Sequence, residues 1–292
     1  MAKTFAFVRE VFSEYSSDDC PRMAAALSYY TVFSLAPLLI VLISIGGLVF
    51  EPSDVEGRVR EQIAGIIGPD GAEQVQQMLR SASKEGTAGV AGLISGLGLL
   101  VGASGVMLQL QAALNEAWDV RPDPALGGIR NFFTKRLLSF GMVLGLGFLM
   151  IVSLLLSAAL SALDQRVITL MPEGLGETAA HFIDLGIALV VLTASFAVIF
   201  RYVPDAQVRW SDVGPGALVT AALFVGGKFA LGMYLGSRNL EGTFGAAGSL
   251  ALILVWVYYS GSILLLGAEF TQVWAQRRGA SAPPELGAKR VA

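Results

Sequence analysis

The sequence predicts an all-α, polytopic membrane protein: six transmembrane helices, an N-terminal amphipathic helix and a helical hairpin on the outer side. Composition is the first reason. Of 292 residues, 54% are apolar and 15% charged, against about 25% charged in a soluble protein that must keep its surface wet. The mean hydropathy is +0.64. The second reason is patterning, because the charges gather in short clusters between long uncharged runs. A soluble helical protein with an apolar core would need charged faces on its helices, and the longest runs have none. The third is an uneven distribution of Lys and Arg, which gives those runs a direction.

Crossing about 30 Å of hydrocarbon takes about 20 mainly apolar residues. Residues 23–50, 88–113, 137–163, 180–202, 213–235 and 245–268 meet that requirement, and the first three contain no Asp, Glu, Lys, Arg or His. Before them, residues 1–22 form a separate segment. Phe5, Val8, Val11, Phe12 and Tyr15 recur at helical spacing over 4–17, with Arg9, Glu10 and Glu14 elsewhere. That pattern predicts an amphipathic helix lying on the cytoplasmic face. Asp18, Asp19 and Pro21 end it, since proline is tolerated only near a helix start. Glu10, Glu14, Asp18 and Asp19 leave no apolar core for a cleavable signal peptide, so none is expected.

With the N-terminus inside, the inner segments carry Lys3, Arg9, Arg22, Arg121, Arg130, Lys135, Arg136, Arg201, Arg209, Arg277, Arg278, Lys289 and Arg290. The outer segments carry Arg58, Arg60, Arg80, Lys84, Arg166 and Arg238. This excess places both termini in the cytoplasm, with Trp118, Trp210 and Trp274 at the inner interface. In the outer loop 51–87, Val55, Val59, Ile63, Ile66 and Ile67 form one helical stripe, and Val75, Met78 and Leu79 a second. The break Gly68-Pro69-Asp70-Gly71 between them predicts a hairpin packed on the bundle. The membrane domain runs over 23–275. The tail 276–292, with Pro283 and Pro284, is expected to be disordered.

Three polar stripes stand out within the spans. On the second, Ala91, Ser95, Gly98, Gly102, Gly105, Gln109, Ala112, Glu116 and Asp119 share one face, small above and acidic below. Such a face either packs closely against another helix, as small residues allow, or lines a polar path. Tyr30, Ser34 and Pro37 on the first span, and Tyr258, Ser262 and Glu269 on the sixth, could complete that path or serve as ordinary interhelical contacts. Proline at position 37 removes one backbone hydrogen bond and predicts a kink.

Asn115, Glu116, Asp119, Arg121, Arg136, Lys228 and Glu269 are candidates for headgroup contacts or charge pairs. Arg121, Arg130, Lys135 and Arg136 form a basic inner collar beside Glu116 and Asp119 that can hold lipid phosphates, the alternative being topology anchors. Lys228 lies about 22 Å up the fifth span and Glu269 about 36 Å along the sixth, at 1.5 Å per residue. Both then fall near an interface, leaving no ionisable group at the midplane where ion-coupled transporters keep one. One cysteine, Cys20, and one histidine, His181, exclude an intrachain disulfide and a cysteine metal cluster, and most His-based catalytic or metal constellations. No cofactor, metal or nucleic-acid partner is expected.

Four groups of residues, in order along the chain, resemble the YihY/BrkB family of bacterial inner-membrane proteins. They are AAALSYYTVFSLAP from Ala24 to Pro37 and LNEAWDVRP from Leu114 to Pro122. YVPDAQVRW from Tyr202 to Trp210, with GPG at 214–216, is the third, and GTFG at 242–245 with LGAE at 266–269 the fourth. Phe244 departs from the tyrosine that the family favours. The resemblance implies six spans in the cytoplasmic membrane. Members have carried labels of a tRNA-processing ribonuclease and a serum-resistance factor, and family-level suggestions point to envelope biogenesis, including movement of lipid. A zinc nuclease needs several His and Asp ligands, which one histidine cannot supply, so no enzymatic activity is expected. Two functions stand: a transporter or flippase for an anionic amphiphile, or a scaffold that docks envelope proteins through its outer hairpin. The sequence leaves the oligomeric state open.

Overall fold

The computed structural model describes residues 2–46, 51, 53–57, 59–61, 64, 72–73, 75–77, 105–123, 175–236, 241–280, 282–285 and 287–291. Helices dominate. In chain order they are α1 (Ala2–Ser17), α2 (Cys20–Gly46), α3 (105–117), α4 (Leu175–Tyr202), α5 (Trp210–Gly236) and α6 (Glu241–Arg277). Two short strands, β1 (Val120–Pro122) and β2 (Ala288–Arg290), complete the list. The third predicted span, the upper part of the second, and Gly68–Gly71 lie outside the described residues.

Among the described residues, one segment is both long and apolar enough to cross a membrane, Ile253–Arg277, and a shorter apolar helix covers Ala188–Tyr202. The segment 253–277 overlaps the predicted span 245–268. It belongs to α6, whose 37 residues extend about 55 Å. That length lets α6 act as the central post, packing against α1, α2 and α5, while α4 packs on α5.

The turn between α1 and α2 follows the sequence closely. Asp19 has φ 53°, a left-handed conformation that Asp tolerates better than most residues. Its carbonyl accepts from the Arg22 and Met23 amides at 2.9 and 3.1 Å, so Pro21 enters the first turn of α2, where no amide donor is needed. The helix continues through Pro37 to Gly46.

The amphipathic helix does not lie free on a surface. Phe7 packs edge-on against Phe270 with centroids 4.9 Å apart, Val11 is buried, Tyr15 is half-buried, and Arg277 pairs with Glu10. Residues 7, 11 and 15 therefore face α6. Phe5, Val8 and Phe12 point away, 74%, 45% and 56% exposed. The expected single stripe is thus divided between two faces.

Two apolar clusters form the core. The larger gathers Leu114, Phe200, Val213, Leu265 and their neighbours. The smaller joins Val32, Leu39, Ile253 and Trp256 to Val75 of the segment 51–87. Val59 and Val75 of this segment therefore face the bundle, and Gln76 donates to Glu56 at 3.3 Å.

The tail corrects an expectation. Rather than being disordered, it folds back: β2 pairs antiparallel with β1, setting Val120 opposite Arg290 and Pro122 opposite Ala288. The Gln207 and Glu285 amides donate to Pro283 and Asp205 carbonyls at 2.9 Å each. Pro283 and Pro284 do not prevent this, because proline retains its carbonyl acceptor. Trp118 is a second correction. It is 4% exposed and forms part of the core, whereas Trp210 at 52% suits an interfacial position.

Candidate functional site

The described candidate residues converge where α3 ends, around a junction with the α4–α5 connection. Asn115 is the hub. Its Nδ2 donates to Asp205 Oδ2 at 2.9 Å, and its Oδ1 accepts from the Asp205 amide at 2.7 Å. Gln111 Nε2 donates to the other carboxyl oxygen at 3.1 Å. Asn115 and Asp205 are both buried, so each bond satisfies a group that water cannot reach. Asp119 ends α3 with φ 52° and accepts from Gln272 Nε2 of α6 at 3.2 Å. Arg121 reaches back to Glu116 at 2.9 Å on the exposed side.

Beside this junction is an open pocket of about 350 Å³. It is lined by the apolar Leu108, Ala112, Val120 and Pro122 and, interleaved with them along the chain, by Gln111, Asn115, Glu116 and Arg121, together with Asp205. Asn115, Glu116 and Arg121 thus share one site. Arg136, with Arg130 and Lys135, lies outside the described residues, as does the side chain of Lys228.

The polar stripes behave differently. A Cβ placed on Gly105 would lie 3.4 Å from Tyr30 Cδ1 and 3.6 Å from Ser34 Oγ, so this part of the second span's face is a packing contact with α2. Gln109 is half-buried and Ala112 exposed further along the same face. Gly98, Gly102 and the side chain of Pro37 lie outside the described residues. In α6 the Ser262 hydroxyl bonds back to the Tyr258 carbonyl at 2.8 Å and meets Tyr15 of α1. Gly105, Tyr30, Ser34, Asp119 and Ser262 are thus engaged in contacts between elements, while Ala112 and Glu116 line the pocket.

Glu269 is the unusual group. It is fully buried and falls inside the apolar segment 253–277. Cys20 Sγ donates to its Oε1 at 3.3 Å, while Oε2 has no hydrogen-bond partner among the described residues. An ionisable side chain so placed in a membrane protein is costly, and marks a functional position by default. Counting residues along the span put it near the surface, yet neighbouring helices enclose it.

Acidic neighbours surround the approach to Glu269. Burial, and then the charges of Asp119, Glu14 and Glu116, push the Asp18 carboxyl up to about 6. Because the folded chain holds this proton more tightly than the unfolded one, stability from Asp18 falls as pH rises from the ordinary carboxylate range through 6. Asp18→Asn should therefore raise the detergent melting temperature above pH 6 and leave it unchanged below about pH 4. An equal shift at both pH values would contradict this.

The most telling packing was missed by reading the spans singly. Thr220 Oγ1 donates to the Gly216 carbonyl, and Thr271 Oγ1 to the Gly267 carbonyl, both at 2.7 Å. A Cβ on Gly216 would collide with Thr271 Oγ1, and one on Gly267 with Thr220 Oγ1. Each helix thus offers a Gly notch to the other's Thr. The signal was present as a Gly-x-x-x-Thr spacing in both α5 and α6.

The four groups of residues that carry the resemblance therefore share a physical task. Asn115 and Asp205 couple the second and third, Gly216 and Gly267 interlock the third and fourth, and Cys20, just before the first, touches Glu269. The family described as "Virulence factor BrkB" matches residues 11–292. The chain belongs to this family. Similar curated proteins are each called a UPF0761 membrane protein. One from Delftia acidovorans is 31% identical over 272 residues, covering 90% of this chain and 60% of that protein. One from Verminephrobacter eiseniae is 29% identical, covering 88% and 59%. One from Teredinibacter turnerae is 28% identical, covering 94% and 61%. The chain thus spans about 60% of the length of these relatives. No solved structure matches it. As a member of this family, the chain is a bacterial membrane protein.

Proposed function

We propose that this BrkB-family chain is a six-span protein of the bacterial cytoplasmic membrane, with both termini inside, that transports or flips an anionic amphiphile of the envelope and catalyses no covalent chemistry. The pocket beside Asn115 carries this reading. Its lining combines apolar with polar and charged side chains, which suits an amphiphile. Arg121 supplies a cation, held ready by an exposed pair with Glu116. Such a pair is worth about 0–1 kcal/mol, so a lipid phosphate can compete for the guanidinium at low cost.

The scaffold reading gains less support. It requires an apolar face on the outer hairpin, whereas Ala72 and Val75 are buried, and none of the hairpin's described residues is an exposed large hydrophobic. Ala112 is exposed at the pocket, so Ala112→Trp fills the pocket from a position that tolerates bulk. In proteoliposomes this variant should lose most of the wild-type transfer of a labelled anionic lipid while keeping its melting temperature. Unchanged transfer with the pocket filled would remove the pocket from the mechanism.

A further inference from the structure

Glu269 of α6 lies where the end of α1, the start of α2 and the end of α3 come together. Cys20 Sγ donates to its Oε1 at 3.3 Å, and Tyr15 of α1 lies beside it. Gln272, one turn further along α6, holds the Asp119 carboxylate. Glu269 is 0% exposed. Its Oε2 has neither accessible surface nor a hydrogen-bond partner among the described residues.

The groups that face this carboxyl are acids. Glu14 of α1, Asp18 of the α1–α2 turn and Asp119 after α3 are its charged neighbours. The Cys20 thiol and the Tyr15 phenol complete the titratable set, with Tyr258 of α6 beyond Tyr15. Basic side chains of these elements are committed to other acids: Arg22 to Asp19, Arg121 to Glu116 and Arg277 to Glu10. An ionised Glu269 would therefore be a buried charge beside others of its own sign, and a buried charge left unpaired is strongly destabilising.

Whatever neutralises Oε2 must reach it without needing volume. A headgroup or an ammonium cannot approach an atom with no accessible surface. A metal ion needs several donors, and among the described residues no group of three His, Cys, Asp or Glu could hold one. A proton meets the requirement. It sits on Oε2 and leaves Oε1 to accept from Cys20, as a carboxylic acid does. Neutralisation is also the usual outcome for a buried ionisable group without a partner.

Asp18 connects the site to water. It is half-buried in the α1–α2 turn, and its carboxyl, pushed up to about 6 by burial and then by its acidic neighbours, can take and release a proton near neutral pH.

We propose that Glu269 is a proton-binding site of the membrane domain, loaded through Asp18. Loading moves one proton from the Asp18 carboxyl to Glu269 Oε2, and water restores the proton on Asp18, so only O–H bonds break and form. Placing Asp18 on the cytoplasmic side rests on the topology proposed above; the proton site requires neither that topology nor lipid transfer. Buried acids of this kind serve proton relays in pumps and transporters, and this one offers the transport reading a driving ion.

Infrared spectroscopy of the full chain reads the site directly, in a detergent without carbonyl groups, because a protonated carboxyl has a carbonyl stretch that carboxylates lack. At about pH 7.5, well above the ordinary carboxylate range, the wild type should show a carboxylic acid band. Glu269→Gln should remove it. Cys20→Ser should displace it, because a hydroxyl donates to Oε1 more strongly than a thiol. Asp18→Asn should keep the band and slow its isotope shift in heavy water about tenfold or more. Should Glu269→Gln fail to fold, the displacement in Cys20→Ser still assigns the band. No acid band at this pH, or a band that Glu269→Gln and Cys20→Ser leave unchanged, would overturn the proton site. Exchange at the wild-type rate in Asp18→Asn would overturn loading through Asp18. None of these readings involves lipid transfer, so a failure to transfer lipid bears on the transport reading alone.

Discussion

Asn115→Ala should cost about 2–6 kcal/mol of stability, because it removes two hydrogen bonds to buried groups of Asp205, each worth about 1–3 kcal/mol. Those groups are one carboxyl oxygen and the backbone amide, both now within 2.9 Å of Asn115. The effect should extend beyond the melting temperature. The Asp205 carbonyl accepts from the Glu285 amide at 2.9 Å, so loosening this connection should release the tail. Limited proteolysis should then cut near 283–291 faster than in wild type. A melting temperature within a degree of wild type would show that the junction carries little of the fold.

Gly267→Ala should be more damaging than the same change at Gly261, the other described glycine of α6. The new Cβ collides with Thr220 Oγ1 and meets Phe200 Cζ at 3.0 Å. Thr220 cannot swing aside freely, since its hydroxyl is bonded to the Gly216 carbonyl of its own helix. Overpacking of this kind costs about 1–3 kcal/mol. Adding Thr220→Ala makes room, so the double variant should recover part of the loss, the coupling expected of residues in contact. Gly261→Ala is the control on the same helix: its Cβ would meet Ala24 and Leu27 at an ordinary 3.6 Å. It should cost nothing measurable, and equal losses at 261 and 267 would contradict the interlock.

The sequence exposed some of this structure and hid the rest for identifiable reasons. Asp19 and Pro21 marked the α1–α2 boundary because left-handed turns and helix starts have local residue preferences. Residues 4–17 were legible as a helix, but their orientation was not. Periodicity gives the spacing of Phe7, Val11 and Tyr15 without saying that Phe270 and Arg277 await them. Asp205 appeared only as one letter of a motif, since its role depends on Asn115, 90 residues earlier. The tail was hidden for the same reason. Strands of three residues carry no readable period, and β2 is defined by a partner across most of the chain. Reading small residues as packing or path span by span found Gly105 but missed the mutual Gly–Thr notches, which become visible only when α5 and α6 are compared. Glu269 was discounted by counting 1.5 Å steps along one helix, which locates depth but not enclosure by Cys20 and its neighbours.

Lipid transfer by the purified chain tests the central proposal most directly. Vesicles of mixed zwitterionic and anionic lipid, carrying a headgroup-labelled anionic tracer, would be prepared with and without the protein, and exchange of tracer between leaflets followed by quenching from outside. The account predicts exchange that rises with the amount of wild-type protein and drops towards the protein-free rate in Ala112→Trp. Exchange at the protein-free rate with folded, inserted wild-type protein, for every anionic tracer tried, would contradict it.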